Sequence, residues 1–137
     1  MMEGEKGCAA AGAQEGSEQE VSGPAFTCRY TAALRHVETQ CVPNPVLVDH
    51  LAPHLCGPKG LQLAQKELQQ LVAAQGPGKH LRVPARTRLL DDLLLQAIQQ
   101  LTLEGQPGTV QVVSLGCGMD TRPWRLTSLP SCVAWSV

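Results

Sequence analysis

The sequence has 137 residues, a formal net charge of −1 and 43% hydrophobic residues, so its length and composition allow one modest globular domain. The charge is nearly balanced and there is no basic run, which disfavours nucleic acid as a partner. There is no stretch of about 20 apolar residues and no apolar or Arg-rich leader, so a membrane partner, secretion and organelle import are disfavoured too. These features predict a cytoplasmic protein.

Residues 1–25 differ in composition from the rest of the chain. They are rich in Gly, Ala, Glu and Ser, contain no aromatic residue, and have Val21 as their one bulky aliphatic residue after the opening methionines. Such a segment buries too little apolar surface to offset the entropy lost on ordering. We therefore predict a disordered tail over 1–25 and a folded unit over 26–137.

Three helices are predicted in the first half of the folded unit. Residues 27–38 can form a short helix with Thr27 as its N-cap. Residues 46–55 can form a second short helix, broken at Pro53. Residues 59–74 place leucines at helical spacing opposite glutamines, which is typical of an amphipathic helix.

The clearest helical pattern covers residues 86–104. Pro84 suits the first turn of this helix and Gly105 suits its C-terminal stop. The predicted apolar stripe consists of Leu89, Leu90, Leu93, Leu94, Ala97, Ile98 and Leu101. The opposite, polar face consists of Arg88, Asp91, Asp92, Gln96, Gln99 and Gln100.

The C-terminal part predicts an α/β fold. Residues 110–115 form a short β-branched run bounded by glycines, which is typical of a buried parallel strand, and residues 132–137 can form the next one. A short helix over 121–126 lies between them, and we expect its Trp124 to pack inside. Helix, strand, glycine turn, helix and strand in this order open a doubly wound fold.

The cysteines and histidines do not predict a metal site. The six cysteines include no C-x-x-C pair, so they are most simply reduced thiols in a cytosolic chain. His50 and His54 have the i, i+4 spacing of two ligands on one helix face, but no third ligand is evident and Pro53 interrupts the helix.

Gly116 and Gly118 follow the first strand, where a doubly wound fold meets its ligand. Glycines there permit positive φ and let the backbone approach a ligand. From these residues alone, an ordinary turn and a ligand-binding loop are equally open. Position 121 is Thr rather than the third glycine of the dinucleotide fingerprint, which disfavours a pyrophosphate cofactor. S-adenosylmethionine is a cofactor without one.

The stretch VVSLGCGMDTRPWRL, residues 112–126, resembles the first motif of the leucine carboxyl methyltransferase family and of its S-adenosylmethionine-dependent O-methyltransferase relatives. It departs from their usual pattern by Cys117 in place of Ala. RTRLLDDLLLQAI, from residue 86, resembles the family's R-T-R-x-x-D-D helix. TAALRHVE and NPVLVDHLAPHL resemble two of its N-terminal segments less closely. The resemblance covers residues 27–137 and implies a Rossmann-like fold with an N-terminal helical cap.

The resemblance also implies S-adenosyl-L-methionine as the cofactor and a set of residues that bind it. Arg86 matches the arginine that holds the cofactor's carboxylate, and Gly116 and Gly118 match the loop behind its methionyl part. Asp120 matches the motif's acid, which either caps the following helix or contacts the cofactor. Arg35 matches an arginine of the cap, where it either closes the cap or lies exposed on its helix.

The end of the sequence bears on what the chain does alone. An acid for the ribose hydroxyls is expected about 20 residues after the glycine turn, but position 136 is Ser and the chain stops at Val137. We therefore expect the N-terminal part of a methyltransferase, truncated after the second strand and inactive alone, with no catalytic residue to name. The acceptor would be a carboxylate or hydroxyl of a small molecule or a protein.

Two alternatives remain from the residues. The Gln- and Leu-rich helices could make a non-catalytic helical interaction fragment that packs on a partner. A nicotinamide dehydrogenase fragment is a third possibility, disfavoured by the missing third glycine. The sequence predicts no oligomeric state.

Overall fold

The computed structural model describes residues 23–103, 109–127 and 129–136 as an α/β arrangement that is mostly helical. Its helices are α1 (Pro24–Cys41), α2 (Pro58–Gln75), α3 (Arg82–Leu103) and the short α4 (Arg122–Arg125), with a 3-10 turn at Ala52–His54. Its strands are β1 (Val110–Val113) and β2 (Val133–Ser136). The predicted disordered tail lies outside the described residues up to position 22.

The two strands pair in parallel, as the α/β pattern predicts. Val110 is opposite Val133, and Val113 is opposite Ser136. The pairing is extended by bonds from Val110 N to Cys132 O and from Ser114 N to Ser136 O, each 2.9 Å long. The glycine turn and α4 lie between the strands in sequence, so the turn follows the carboxyl end of β1.

The first helix begins earlier than its predicted N-cap. Gly23, with φ of 68°, occupies the N-cap position and Pro24 opens the helix. Proline has the φ of a helix and lacks the N–H that would be unpaired there, so it favours a start at this point. The predicted N-cap, Thr27, lies in the next turn, and its hydroxyl donates to Gly23 O at 3.3 Å.

The predicted helix over 46–55 is wrong except for the 3-10 turn at Ala52–His54. The carboxylate of Asp49 accepts hydrogen bonds from the backbone N–H groups of Leu51 and Ala52, each at 3.1 Å. An aspartate that bonds the backbone two and three residues ahead competes with helix formation. The segment is therefore a loop held by its own side chain.

The hydrophobic core lies between α1, α2 and the loop that connects them. Its fully buried members include alanines of both helices, which let the helices approach closely, and Leu81 at the entry to α3. The core residues are Ala32, Ala33, Leu34, Val37, Cys56, Ala64 and Leu81. Leu61, Leu68 and Leu71 of the predicted α2 stripe pack against them.

A buried carboxylate in α1 holds the entry to α3. Glu38 is fully buried and accepts bonds from Val46 N at 3.0 Å and Leu81 N at 3.4 Å. His80 Nδ1 lies 2.7 Å from the same carboxylate. Because Leu81 immediately precedes α3, these contacts set where that helix starts relative to α1.

Most of the apolar stripe predicted on α3 is exposed. Leu89, Leu90, Leu93 and Leu101 are 47–59% exposed. Of the stripe, Ile98 is buried at 3% exposed, and Asp91 of the predicted polar face is buried at 2%. The prediction that Asp91 lies on the solvent face is wrong, because two arginines of α4 neutralise its carboxylate inside the structure. Within the described residues, none of the helices has both the length and the apolar character that a membrane span needs.

The position of the core predicts a contrast between two leucines. Leu81→Ala should lower the free energy of unfolding by about 2–5 kcal/mol, because Leu81 is 1% exposed and its loss leaves a cavity. Leu93→Ala, at a position 52% exposed, should change it by about 0.5 kcal/mol or less. Urea unfolding followed by circular dichroism measures both, and equal losses would contradict this description of the core.

Candidate cofactor site

The turn after β1 has a backbone that favours glycine at two positions. Gly116 has φ of 62° and Gly118 has φ of 52°, in the left-handed region that side chains with a Cβ rarely adopt. A Cβ added at Gly116 would meet nothing within 4 Å, so this backbone is open to a ligand. A Cβ added at Gly118 would lie 2.7 Å from Cys28 Sγ, so Gly118 also permits close contact with α1.

A cleft of about 610 Å³ opens between this turn, α1 and the first turns of α3. All five residues that the resemblance assigns to the cofactor line it, although they come from three distant parts of the sequence. They are Arg35, Arg86, Gly116, Gly118 and Asp120. The structure thus brings the predicted site residues together, and their binding roles stay predictions.

Arg86 is an exposed arginine of α3 in the wall of this cleft. No carboxylate of the described residues pairs with it. The other arginines of the cleft are all held: Arg35 by Asp49, and Arg122 and Arg125 by Asp91. The guanidinium of Arg86 therefore remains available to an anionic group of a ligand.

Arg35 joins the helical cap to the glycine turn. It is 7% exposed, so the alternative of an exposed helical charge is wrong. Its Nε donates to Asp49 Oδ2 at 2.8 Å, and its Nη2 donates to Met119 O at 2.7 Å. One guanidinium thus bonds both the loop after α1 and the backbone of the turn that lines the cleft.

Asp49 is a residue of this site that sequence reasoning left without a role. It is fully buried, and its carboxylate accepts bonds from Arg35, from Thr121 Oγ1 at 2.6 Å, and from two backbone amides of its own loop. Burial raises the pKa of Asp49, but the bonds from Thr121, Arg35 and the backbone outweigh burial and lower it overall. Asp49 lies in NPVLVDHLAPHL, a segment that resembles the family, so the sequence could have singled it out. The sequence could not show that Arg35 and Thr121 bond to it.

A second group of charges joins α3 to α4. Asp91 accepts from Arg122 Nε at 2.7 Å and from Arg125 Nη1 at 2.6 Å. The two motifs RTRLLDD and DTRPWRL are therefore in contact through Asp91 of the first and Arg122 and Arg125 of the second. Burial lowers the pKa of Arg122, but its bonds to Asp120 and Asp91 outweigh burial and raise it overall, so the guanidinium stays charged.

Asp120 lies at the start of α4. Its carboxylate accepts from Arg122 N at 3.0 Å and from Arg122 Nη1 at 2.9 Å. It thus bonds the first turn of α4 from the position before the N-cap, Thr121, which makes no side-chain cap bond itself. These contacts agree with the capping alternative, while Asp120 still borders the cleft.

A smaller concavity of about 490 Å³ lies beside the same turn and is lined largely by apolar side chains, including Leu51, Leu55 and Trp124. Trp124 is 65% exposed, so the expectation that it packs inside is wrong. Because α4 has four residues, it cannot bury both of its faces, and its two arginines occupy the face that contacts α3.

Within the described residues, no three His, Cys, Asp or Glu side chains come together as metal ligands.

A known protein family matches most of the chain. The leucine carboxyl methyltransferase family matches residues 29–137, which include most of α1, both strands and the residues that line the cleft except Thr27 and Cys28. The chain belongs to the leucine carboxyl methyltransferase family. The match takes in every residue predicted to bind the cofactor.

One curated relative comes from Streptomyces coelicolor and carries the name "Putative S-adenosyl-L-methionine-dependent methyltransferase". It is 42% identical over 52 residues, which are 38% of this chain and 15% of that protein. The chain thus spans a small part of the length of this relative. No solved structure matches the chain significantly.

Replacing each of the two glycines of the turn with alanine should change the stability of the protein by a different amount. Gly118→Ala should destabilise the protein more than Gly116→Ala, because both positions have positive φ but only the new Cβ at 118 would meet Cys28 Sγ. Gly116→Ala is therefore the matched control for backbone strain. Urea unfolding of each variant gives the two changes in stability.

The same comparison in a Cys28→Ala background isolates the sulfur contact. There the difference between the two alanine variants should shrink, because the atom that clashes is gone, and the double-mutant cycle gives the coupling directly. An unchanged difference would contradict the close contact between α1 and the turn.

The bonds to Asp49 predict acid sensitivity. Since the pKa of Asp49 is lowered in the folded state, its stabilising contribution is fully present above the unfolded value of about 3.9 and is lost as pH falls through the folded value. Stability measured by urea unfolding between about pH 2 and pH 7 should therefore fall below about pH 4. Asp49→Asn should be less stable at neutral pH and lose less on acidification; parallel curves for the two proteins would contradict the assignment.

Proposed function

We propose that residues 26–137 form the helical cap and first strands of a Rossmann-like methyltransferase domain, and that the cleft holds the methionyl part of S-adenosyl-L-methionine. One observation carries the proposal: Arg86, whose guanidinium pairs with no described carboxylate, lines the same cleft as the two positive-φ glycines. Family membership and the name of the Streptomyces relative support the same cofactor.

The residues of the cleft suit this cofactor. Three of its four arginines are compensated by Asp49, Asp91 and Asp120, so Arg86 leaves one positive charge to face the cofactor's carboxylate. A guanidinium binds a carboxylate with two parallel hydrogen bonds, which gives both strength and orientation. The open backbone at Gly116 lets the methionyl chain lie against the turn without meeting a side chain.

When bound, S-adenosyl-L-methionine supplies a methyl group activated by a sulfonium. We infer O-methyl transfer, to a carboxylate or hydroxyl of a small molecule or a protein. The contribution of this chain is to hold the cofactor in one orientation, and transfer depends largely on alignment of donor and acceptor. Arg35 and Asp49 serve that alignment because they tie the turn to α1.

We further propose that the 137 residues alone bind the cofactor weakly and do not transfer its methyl group. The described strands make a two-stranded sheet, which is marginal by itself, and Leu115 beside the turn is 89% exposed. A site open on that side neither encloses an acceptor nor excludes water. Incubation with methyl-labelled cofactor and carboxylate or hydroxyl acceptors should give no labelled product, and any turnover would contradict this part of the proposal.

A helical interaction module is the second candidate. The observation that favours it is the exposed leucine face of α3, formed by Leu89, Leu90, Leu93 and Leu101. Such a module could pack on a partner with this face. It would have no need of Arg86, so cofactor binding separates the two candidates.

Arg86→Ala should weaken binding of S-adenosyl-L-methionine by about 1.5–3 kcal/mol, the scale of a lost hydrogen bond to a charged group. This loss corresponds to a dissociation constant about 10- to 150-fold higher. Isothermal calorimetry with the purified chain measures it, and the heat of unfolding shows whether the variant folds.

Arg88→Ala is the matched control, because Arg88 lies on the same helix two residues on. Its guanidinium is exposed and pairs with Asp92 at 3.0 Å, away from the residues that line the cleft. Its affinity for the cofactor should match that of the unchanged chain. Equal losses in the two variants, or no cofactor binding by the unchanged chain, would contradict the proposed site.

A further inference from the structure

Two cysteine thiols line the cleft. Cys28 belongs to α1 and Cys117 to the glycine turn, and both are partly exposed to solvent. They are 89 positions apart in sequence, so only the tertiary structure brings them to one cleft. No disulfide joins the described cysteines.

The sulfur of Cys28 is close to the backbone beside Cys117. A Cβ on Gly118 would lie 2.7 Å from Cys28 Sγ and 3.6 Å from Cys28 Cβ. A carbon–carbon bond of about 1.5 Å and a Cα spacing of about 3.8 Å then put Cys28 Sγ within about 8 Å of Cys117 Cα. The Cα of Cys28 lies about 3 Å beyond its sulfur, so the two Cα atoms are within about 11 Å of each other. A disulfide joins Cα atoms roughly 5.5–6 Å apart, so its formation requires the turn to move toward α1 by up to about 5 Å.

The turn has the freedom for that shift. Cys117 lies between two glycines with positive φ, and its sulfur makes a weak hydrogen bond of 3.9 Å to Gly118 O of the same turn. Glycine backbones change conformation at little steric cost. The Met119 carbonyl, by contrast, is held by Arg35, so the movement is confined to the residues around Cys117.

We propose that Cys28 and Cys117 form a reversible disulfide that ties α1 to the glycine turn within the cleft. Glutathione disulfide is the oxidant. One cysteine thiolate attacks it to form a mixed disulfide and releases one glutathione; the second thiolate attacks the cysteine sulfur of that bond and releases another. The protein loses two protons and two electrons, and one glutathione disulfide takes them up to become two glutathione molecules.

The bond would act on the cleft in two ways. It restrains the turn against α1, and it places two bonded sulfurs among the side chains that line the space. Provided that the cleft holds S-adenosyl-L-methionine as proposed above, oxidation lowers the affinity for this cofactor. The cross-link itself does not depend on any cofactor.

The test uses the full 137-residue chain with Cys8→Ser, which removes the thiol of the N-terminal segment. The protein is equilibrated in glutathione buffers of increasing oxidised fraction, free thiols are blocked, and disulfide-linked peptides are identified by mass spectrometry. We expect a peptide linking Cys28 to Cys117 as the main cross-link, reversed by dithiothreitol. Cys28→Ser should abolish it, and Cys132→Ser, the matched control, should leave its yield unchanged.

Hydrogen exchange reads out the restraint without a cofactor. Amides of residues 114–121 should exchange at least several-fold more slowly in the oxidised chain, and Cys117→Ser should show no such change. Separate glutathione adducts on the two cysteines, preferential pairing of either with another cysteine, or exchange unaffected by oxidation would each overturn the proposal.

Calorimetry with S-adenosyl-L-methionine then tests the effect on binding. A dissociation constant raised at least 10-fold by oxidation and restored by dithiothreitol supports closure of the cleft. If the oxidised and reduced chains bind S-adenosyl-L-methionine with equal affinity, the proposed closure of the cleft by the disulfide is overturned. If the reduced chain binds no cofactor but the cross-link forms and slows exchange, the proposed function fails while the disulfide stands.

Discussion

The site depends on the hydrogen bonds and the ion pair that the buried carboxylate of Asp49 makes. A charge without solvent is tolerated only when hydrogen bonds and an opposite charge replace the water it lost. Here those partners are Arg35 of α1, Thr121 at the start of α4 and the amides of its own loop. The first helix and the loop after it must therefore meet the start of α4, which directly follows the glycine turn.

The second charged group, around Asp91, has a consequence for ligand binding. Because Asp91 and Asp120 neutralise Arg122 and Arg125, the two arginines that follow the turn are committed to joining α3 and α4. Among the described residues, one arginine of the cleft rather than three is left without a carboxylate partner. A single positive charge beside an open backbone is a more selective arrangement for one carboxylate than a broadly basic surface would be.

The placement of Asp91 also explains the exposed leucines of α3. A helix has one face toward its neighbours, and the arginines of α4 draw the Asp91 face inward. Leu89, Leu93 and Leu101 then point elsewhere, although their spacing is that of a core stripe. Together with the two-stranded sheet, this face gives the described part of the chain more apolar surface than its own core can cover.

Much of the fold could be predicted from the sequence. Local periodicity and the positions of glycine and proline predicted the α/β order, the two parallel strands and the helices α2 and α3. An uninterrupted motif predicted the family. The residues of the cleft were named in the same way, from the motif alone. Their meeting in one cleft is a result of the tertiary structure.

Which face of α3 is buried, why residues 46–55 form a loop, and what Arg35 does were decided only by the tertiary structure. Asp91 pairs with α4, and Asp49 pairs with α1 and Thr121, which lie outside their own segments. The loop over 46–55 depends also on local bonds, from the amides of Leu51 and Ala52 to Asp49. An analysis of hydrophobic periodicity assigns aspartate to the surface. It does not consider hydrogen bonds to residues 34 or 72 positions away, which are the distances from Asp91 to Arg125 and from Asp49 to Thr121. The sequence by itself determined the family and most of the helices and strands, because local periodicity and motifs carry them. Paired buried charges determined how those elements face one another, because the partners lie far apart in sequence.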